Sequence, residues 1–309
     1  MTRTVLITGG AGFLGRAVVR EYQRRGWHTT GIGHSTWTAE SAAEAGYSSW
    51  QRGDIDLATL SRLGGEFDVV VHCAANGSVP YSLTHPLDAF RRTVQTTAEV
   101  LDFCRSFRRH SRVIYPSSAA VYGAANDEAL SESSPSNPVS PYGYHKRMAE
   151  DLLECAARHG WTRCAAIRFF SIYGPGLNKQ LLWDAANKLS RATDKVTFWG
   201  TGEETRDWIH VDDAAALMAD LSDIEAPFTI LNGAAGERVT VRTVLEMLKN
   251  ALGVDVEIEF SGAVKPGDPR YYHADVSRAR QLGAPPSVKL ADGLRGYAQW
   301  FQSIDTSIS

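Results

Sequence analysis

Tyr142 and Lys146 stand four positions apart in "SPYGYHKR" (140–147), behind a Ser-Pro pair that reads as a helix start. Positions i and i+4 of a helix share one face, so the phenol and the amine can point into one place. A free tyrosine titrates at about 10. An ammonium beside it favours the phenolate, which would make the pair an acid–base device. The same spacing also arises when an exposed lysine merely follows a tyrosine in a first turn. Alone, the pair leaves both readings open.

A second stretch bears on that choice. "TGGAGFLG" (8–15) sets Gly9, Gly12 and Gly15 three apart, with Phe13 and Leu14 between the last two. It follows an apolar strand and opens a helix, the context in which such a loop binds a dinucleotide. Its glycines let backbone N–H groups approach a pyrophosphate at a helix N-terminus. A tight turn without ligand is the alternative, and the flanking strand and helix argue against it.

Cofactor choice is read at the end of the next strand, where an acid binds the ribose hydroxyls of NAD. Here "TTGIGHSTW" (29–37) offers Gly33, His34 and Ser35 and no acid. NADP is therefore allowed beside NAD, with His34 and Ser35 as donors to a 2′-phosphate. His34 as a plain exposed loop residue is the other reading. In "RGDI" (52–55), Asp54 is placed for an adenine amino group, with Ile55 next to it.

The elements that must carry these residues alternate. Residues 4–8, 28–33, 68–74, 112–118 and 164–174 read as strands, and 15–26, 87–107 and 141–160 as helices. Alternation predicts parallel strands joined by right-handed crossovers, an α/β doubly wound sheet of Rossmann type. Past residue 175 the pattern loosens into shorter pieces. The expected division is a dinucleotide-binding domain over 1–175 and a smaller C-terminal α/β substrate lobe over 176–309, with some exchange of chain between them.

Composition bounds the rest. The chain has 309 residues, 43% hydrophobic and 22% charged, with a net charge of −3. That is ordinary for a globular protein, and no basic field invites nucleic acid or an anionic membrane. The basic run at 104–112 reads as a solvated helix end. No apolar stretch approaches a membrane span, and "MTRTVLITGG" lacks the features of a signal peptide. Cys73, Cys104, Cys155 and Cys164 are too scattered for a zinc site or a disulfide framework. No metal is expected, and a reducing cytoplasm is.

Taken together, "TGGAGFLG", "GDI", "HCAA", "YPSSAAVYG", "SPYGYHK", "RFFSIYGPG" and "TRDWIHVDD" follow one another in a familiar order. The chain resembles the extended short-chain dehydrogenase/reductases, in the branch of nucleotide-sugar epimerases, dehydratases and ketoreductases. The resemblance spans roughly residues 3–300. It implies Ser118, Tyr142 and Lys146 as the catalytic set, with Lys146 also on the nicotinamide ribose. Ser117 is the neighbour that could stand in for Ser118 or touch substrate. Ala74 and Ala75 would lie along the cofactor.

Dehydratases of the branch carry an Asp-Glu pair after the catalytic hydroxyl. Here those positions are Ala119 and Ala120, so elimination of water is not expected. Two reactions remain: a C4 epimerase working through a transient 4-keto sugar, and an NADPH-dependent 4-ketoreductase. "SSAAVYG" and "NGSVPYSLTHP" favour the epimerase, and the missing acid at Gly33 favours the reductase. The reading leans to the epimerase. A cofactor-binding regulatory protein without turnover would predict damage in the triad, and none is seen.

For the substrate, the resemblance implies Arg206 and Lys265 as cations for a diphosphate, with Asp268 on the nucleotide ribose. Ser171 stands where many epimerases have asparagine. Ser78 and Ser82 could touch the sugar or cap a helix. Phe198 and Trp199 could pack the base, with a core role the stronger reading. The expected partners are a nucleotide-diphosphate sugar and a second copy of the chain, through helices 87–107 and 141–160.

Overall fold

The computed structural model describes residues 2–305 apart from 65, 107–110, 125, 126, 264–269 and 284. Its first part runs β1 (Thr4–Thr8), α1 (Phe13–Arg24), β2 (His28–Gly33), α2 (Ala39–Glu44), β3 (Ser49–Arg52), α3 (Leu57–Arg62) and β4 (Val69–His72). There follow α4 (Val79–Thr84), α5 (Pro86–Phe90), α6 (Thr96–Ser106), β5 (Arg112–Ser118), α7 (Pro141–Arg158), β6 (Arg163–Phe169) and β7 (Ser171–Tyr173). The second part holds α8 (Gln180–Arg191), β8 (Lys195–Phe198), β9 (Thr205–Arg206), β10 (Trp208–His210), α9 (Val211–Asp220) and β11 (Phe228–Gly233). It closes with β12 (Val239–Thr240), α10 (Val241–Leu252), β13 (Glu257–Phe260), α11 (Ser277–Gln281) and α12 (Leu290–Asp305).

Seven parallel strands form one sheet in the order β11-β6-β5-β4-β1-β2-β3. This is the doubly wound α/β fold expected from the alternation. The side-chain period of two divides β1 between the faces. Val5 and Ile7 join the core under α1 and α9, while Leu6 joins the one under α6 and α7. A further core gathers Leu182, Leu189, Leu245, Leu248, Tyr297 and Phe301 from α8, α10 and α12. The chain order reverses between β1 and β4, and ligands of such sheets sit outside the strand ends there.

Three expected elements differ in detail. The strand over 164–174 is two strands. β6 lies in the large sheet, the chain leaves it at Phe170, and β7 pairs with β10 instead. The helix over 87–107 is broken by a π-turn at Arg91–Gln95 between α5 and α6, and Phe107 falls outside the described residues. Residues 211–233 return to the first part: α9 packs near α1, and β11 pairs with β6. Phe198 is buried in the second core while Trp199 is exposed.

One buried ion pair fixes how α7 lies on the sheet. Arg168 of β6 and Glu150 of α7 are 2% and 1% exposed and meet at 2.8 Å. Ser117 of β5 donates to the same carboxylate at 2.6 Å, and Arg168 also reaches the Glu132 carbonyl. Removing one partner strands a buried charge, whereas removing both need not. Glu150→Ala is therefore expected to lose about 3–5 kcal/mol in urea unfolding. The double variant Glu150→Met/Arg168→Met should lose clearly less, and equal losses would show that the pair is not what holds the helix.

Candidate active site

Tyr142 and Lys146 lie in the first turns of α7. Ser140 caps that helix, accepting from the Gly143 N–H at 3.2 Å. The orphan N–H of Tyr142 is taken by Ser82 Oγ of α4 at 3.1 Å. Gly143 lets the helix start press on the turn after β5: a Cβ there would sit 2.5 Å from the Ala120 carbonyl. Tyr142 thereby reaches Ser118, whose hydroxyl hydrogen-bonds the phenol and accepts from Ala120 N at 3.2 Å. Lys146 is 4% exposed and donates to the Pro116 carbonyl at 2.8 Å, with its nitrogen 5.8 Å from the Tyr142 ring centre. The three expected catalytic residues line one cavity of about 270 Å³.

Burial sets the charges there. It pulls the Lys146 amine down to about 8, with Cys73 and Glu150 acting the other way. It pushes the Tyr142 phenol above its ordinary value, against the hydrogen bond from Ser118. The expectation that the neighbouring ammonium lowers the phenol is overturned, because desolvation dominates and the amine is committed to Pro116. Beneath them His72 is held neutral, down to about 3, by burial and then by Lys146. Its Nδ1 meets Thr8 Oγ1 at 2.7 Å.

The glycine loop forms the facing wall. Gly9 has φ +64°, and a Cβ on it would lie 2.7 Å from the Ala74 nitrogen. A Cβ on Gly15 would lie 2.6 Å from the Gly9 carbonyl. Gly9, Gly12, Phe13, Leu14 and Gly15 all line the inner cavity. A second, outer cavity of about 450 Å³ shares Gly9 and Ala75 with it and adds Gly33, His34, Asp54, Ile55 and Ala74. Two connected chambers joined over a glycine cradle fit an extended dinucleotide. In the outer one, His34 Nε2 lies 2.8 Å from Asp54 Oδ1. Ser35 does not line it, and its carbonyl accepts from Trp50 Nε1 at 3.2 Å.

Other expected contacts are corrected. Ser117 lines the inner cavity beside Ser118, and its hydroxyl donates to Glu150 at 2.6 Å. Ser78 caps α4, accepting from Tyr81 N at 3.2 Å, and Ser82 supports Tyr142. Phe170 and Ile172 line the inner cavity, and Ser171 between them does not. Arg206 lies in β9, outside the lining of both cavities, and donates to the Thr205 carbonyl at 2.8 Å. Lys265 and Asp268 lie outside the described residues. Sequence reasoning missed Asn76, Lys179 and Gln180, which do line the inner cavity. One signal is Gln180, the single described non-glycine residue with positive φ, +67°.

Residues 5–224 match the family described as NAD dependent epimerase/dehydratase. The chain belongs to that family. It is an enzyme of a family named for its dependence on NAD. The chain is 30% identical to UDP-glucose 4-epimerase of Azospirillum brasilense, over 98% of this chain and 93% of that one. It is also 30% identical to dTDP-glucose 4,6-dehydratase of Streptomyces griseus, over 97% and 94%. Among solved structures, UDP-glucose-4-epimerase of Stenotrophomonas maltophila with bound NAD and formylated UDP-arabinopyranose superposes with a TM-score of 0.89. It is 25% identical, over 99% of both chains.

Among the described residues, two lysines and no carboxylate line the inner cavity of this epimerase/dehydratase family member. Lys146 makes that visible in stability. Its folded value, about 8, is below the ordinary 10.5. Below pH 8 the folded state carries the full cost of the buried ammonium. As pH rises from 8 the folded state sheds a proton that the unfolded chain keeps, so stability increases. Between pH 7 and 9.5 the wild type should gain roughly 2 kcal/mol relative to Lys146→Met in denaturant unfolding. Parallel curves for the two proteins would refute the assignment.

Proposed function

We propose that this enzyme inverts C4 of a nucleotide-diphosphate sugar through a transient 4-keto sugar. The observation that carries the reading is the inner cavity, which gathers Ser118, Tyr142 and Lys146 opposite the glycine cradle and, among the described residues, is lined by no carboxylate. Elimination of water needs an added acid and base, and Ala119 and Ala120 supply neither. The A. brasilense and S. maltophila relatives, both named 4-epimerases, support the same choice.

In this mechanism Gly9, Gly12, Gly15 and Ala75 hold the dinucleotide, with Asp54 and Ile55 at its adenosine end. The chemistry NAD supplies when bound is uptake and return of a hydride. Tyr142 Oη takes the proton of the C4 hydroxyl and gives it back after the sugar ring has turned. Ser118 Oγ holds the same oxygen and orients the phenol. Lys146, held on the Pro116 carbonyl beside the Tyr142 ring, would hold the ribose next to the nicotinamide. The hydroxyl proton moves from sugar to Tyr142 and back, so no net acid, base or reductant is consumed.

Exposed Leu83, Leu87, Tyr144 and Met148 on α4, α5 and α7 form an apolar face suited to a second copy. The wild type should be a dimer by light scattering, and Leu83→Glu/Met148→Glu a monomer. An unchanged mass in that variant removes this face from consideration.

The deciding assay uses stripped protein, catalytic NAD, and UDP-glucose, UDP-galactose or UDP-glucuronate in D2O. The C4 epimer should form without net NADH and without deuterium at C4. A requirement for stoichiometric NADPH and a 4-keto substrate would establish the ketoreductase instead. Tyr142→Phe should lower turnover at least 100-fold while keeping its fold by circular dichroism. Near-normal activity would remove Tyr142 from the proton path.

A further inference from the structure

Lys179 belongs to no motif that the reading above uses. It lies just before α8, in the second part of the chain, yet it lines the inner cavity with Ser118 and Tyr142. It also spans the cleft: its Nζ lies 3.5 Å from where a Cβ on Gly77 would sit, on the loop between β4 and α4. That is ordinary contact distance, so the amine lies against the Gly77 backbone across the cleft.

Charge singles it out. Among the described residues, the cations that line the cavity are Lys146 and Lys179, and no carboxylate lines it with them. Lys146 is buried and donates to the Pro116 carbonyl, so it does not face the mouth. Lys179 is exposed, and no ion pair or hydrogen bond to its side chain is found among the described residues. An exposed ammonium on the wall of a cavity lined by no described carboxylate suits a doubly charged oxyanion.

We infer that Lys179 is a ligand-recognition residue whose ammonium bridges the cleft to a diphosphate. Two ligands of the proposed reaction carry one, the dinucleotide and the nucleotide sugar. The inference rests on that reading for the second ligand only. Binding of either diphosphate would tie the two parts of the chain together through this amine.

The experiment measures binding of NAD, and separately of UDP and dTDP, to stripped wild type, Lys179→Met and Lys179→Arg by calorimetry. Loss of a charge-assisted contact should weaken one ligand about tenfold or more, with Lys179→Arg restoring most of it. Weaker NAD alone identifies the dinucleotide's pyrophosphate, and weaker UDP or dTDP alone identifies the substrate's diphosphate. Unchanged affinity for every ligand in Lys179→Met overturns the inference. Should the wild type bind neither UDP nor dTDP, uridine and thymidine diphosphate sugars are excluded as substrates, and the NAD titration still decides the role of Lys179.

Discussion

The Arg168–Glu150 ion pair is the interaction on which the geometry of the site depends. Tyr142, Lys146 and Glu150 occupy positions i, i+4 and i+8 of one helix, hence one face. Glu150 is clamped from two strands at once, by Arg168 of β6 and by Ser117 of β5. Ser118 is the next residue on β5, with its side chain on the opposite face. Fixing Glu150 against Ser117 therefore fixes Tyr142 against Ser118. The pair does not itself touch the cavity. It converts the register of a helix on a sheet into the spacing of two hydroxyls and an amine.

The second wall is set by close approach of backbone to backbone. Gly9 and Gly15 allow the loop after β1 to fold onto itself and onto the chain after β4, with gaps that no Cβ fits. Tyr47 fastens the loop from behind, its hydroxyl donating to the Gly10 carbonyl at 3.0 Å. It packs with Trp37 and Trp50 in an aromatic cluster beneath the end of β2. A rigid loop keeps its N–H groups aimed without ordering cost when a pyrophosphate arrives. Both walls stand at the point where the strand order reverses, so the fold's topology and its chemistry coincide.

What the sequence could convey follows from how local each signal is. The glycine loop and the Tyr142–Lys146 spacing are contiguous and tied to one strand or one helix turn, so they were legible directly. Ser117 and Ser118 are adjacent and chemically alike. Both line the inner cavity, and only the position of Glu150, 33 residues from Ser117, decides which hydroxyl is committed to the ion pair. Ser171 falls on β7 instead of β6 because the chain leaves the sheet at Phe170, a break that apolar "CAAIRFFSIYG" does not announce. The π-turn at 91–95 is hidden for the same reason, since its residues keep an ordinary helical pattern. Lys179 is brought to the site by folding of the second part over the first, and no periodicity records that.

The adenosine end shows why one missing residue is weak evidence. Gly33 lacks the acid that favours NAD, which left His34 as a candidate donor to a 2′-phosphate. In the fold, His34 is paired with Asp54 across 20 residues of chain, and both line the outer cavity with Gly33. A carboxylate is thus present in the chamber from β3's side rather than β2's. It stands against a second phosphate there, since like charges repel, and it occupies the imidazole that would have offered the donor. The argument from Gly33 for a reductase using NADPH loses its footing. The hydroxyl–amine set remains, in an inner cavity that no described carboxylate lines, and it suits the proton transfer proposed above.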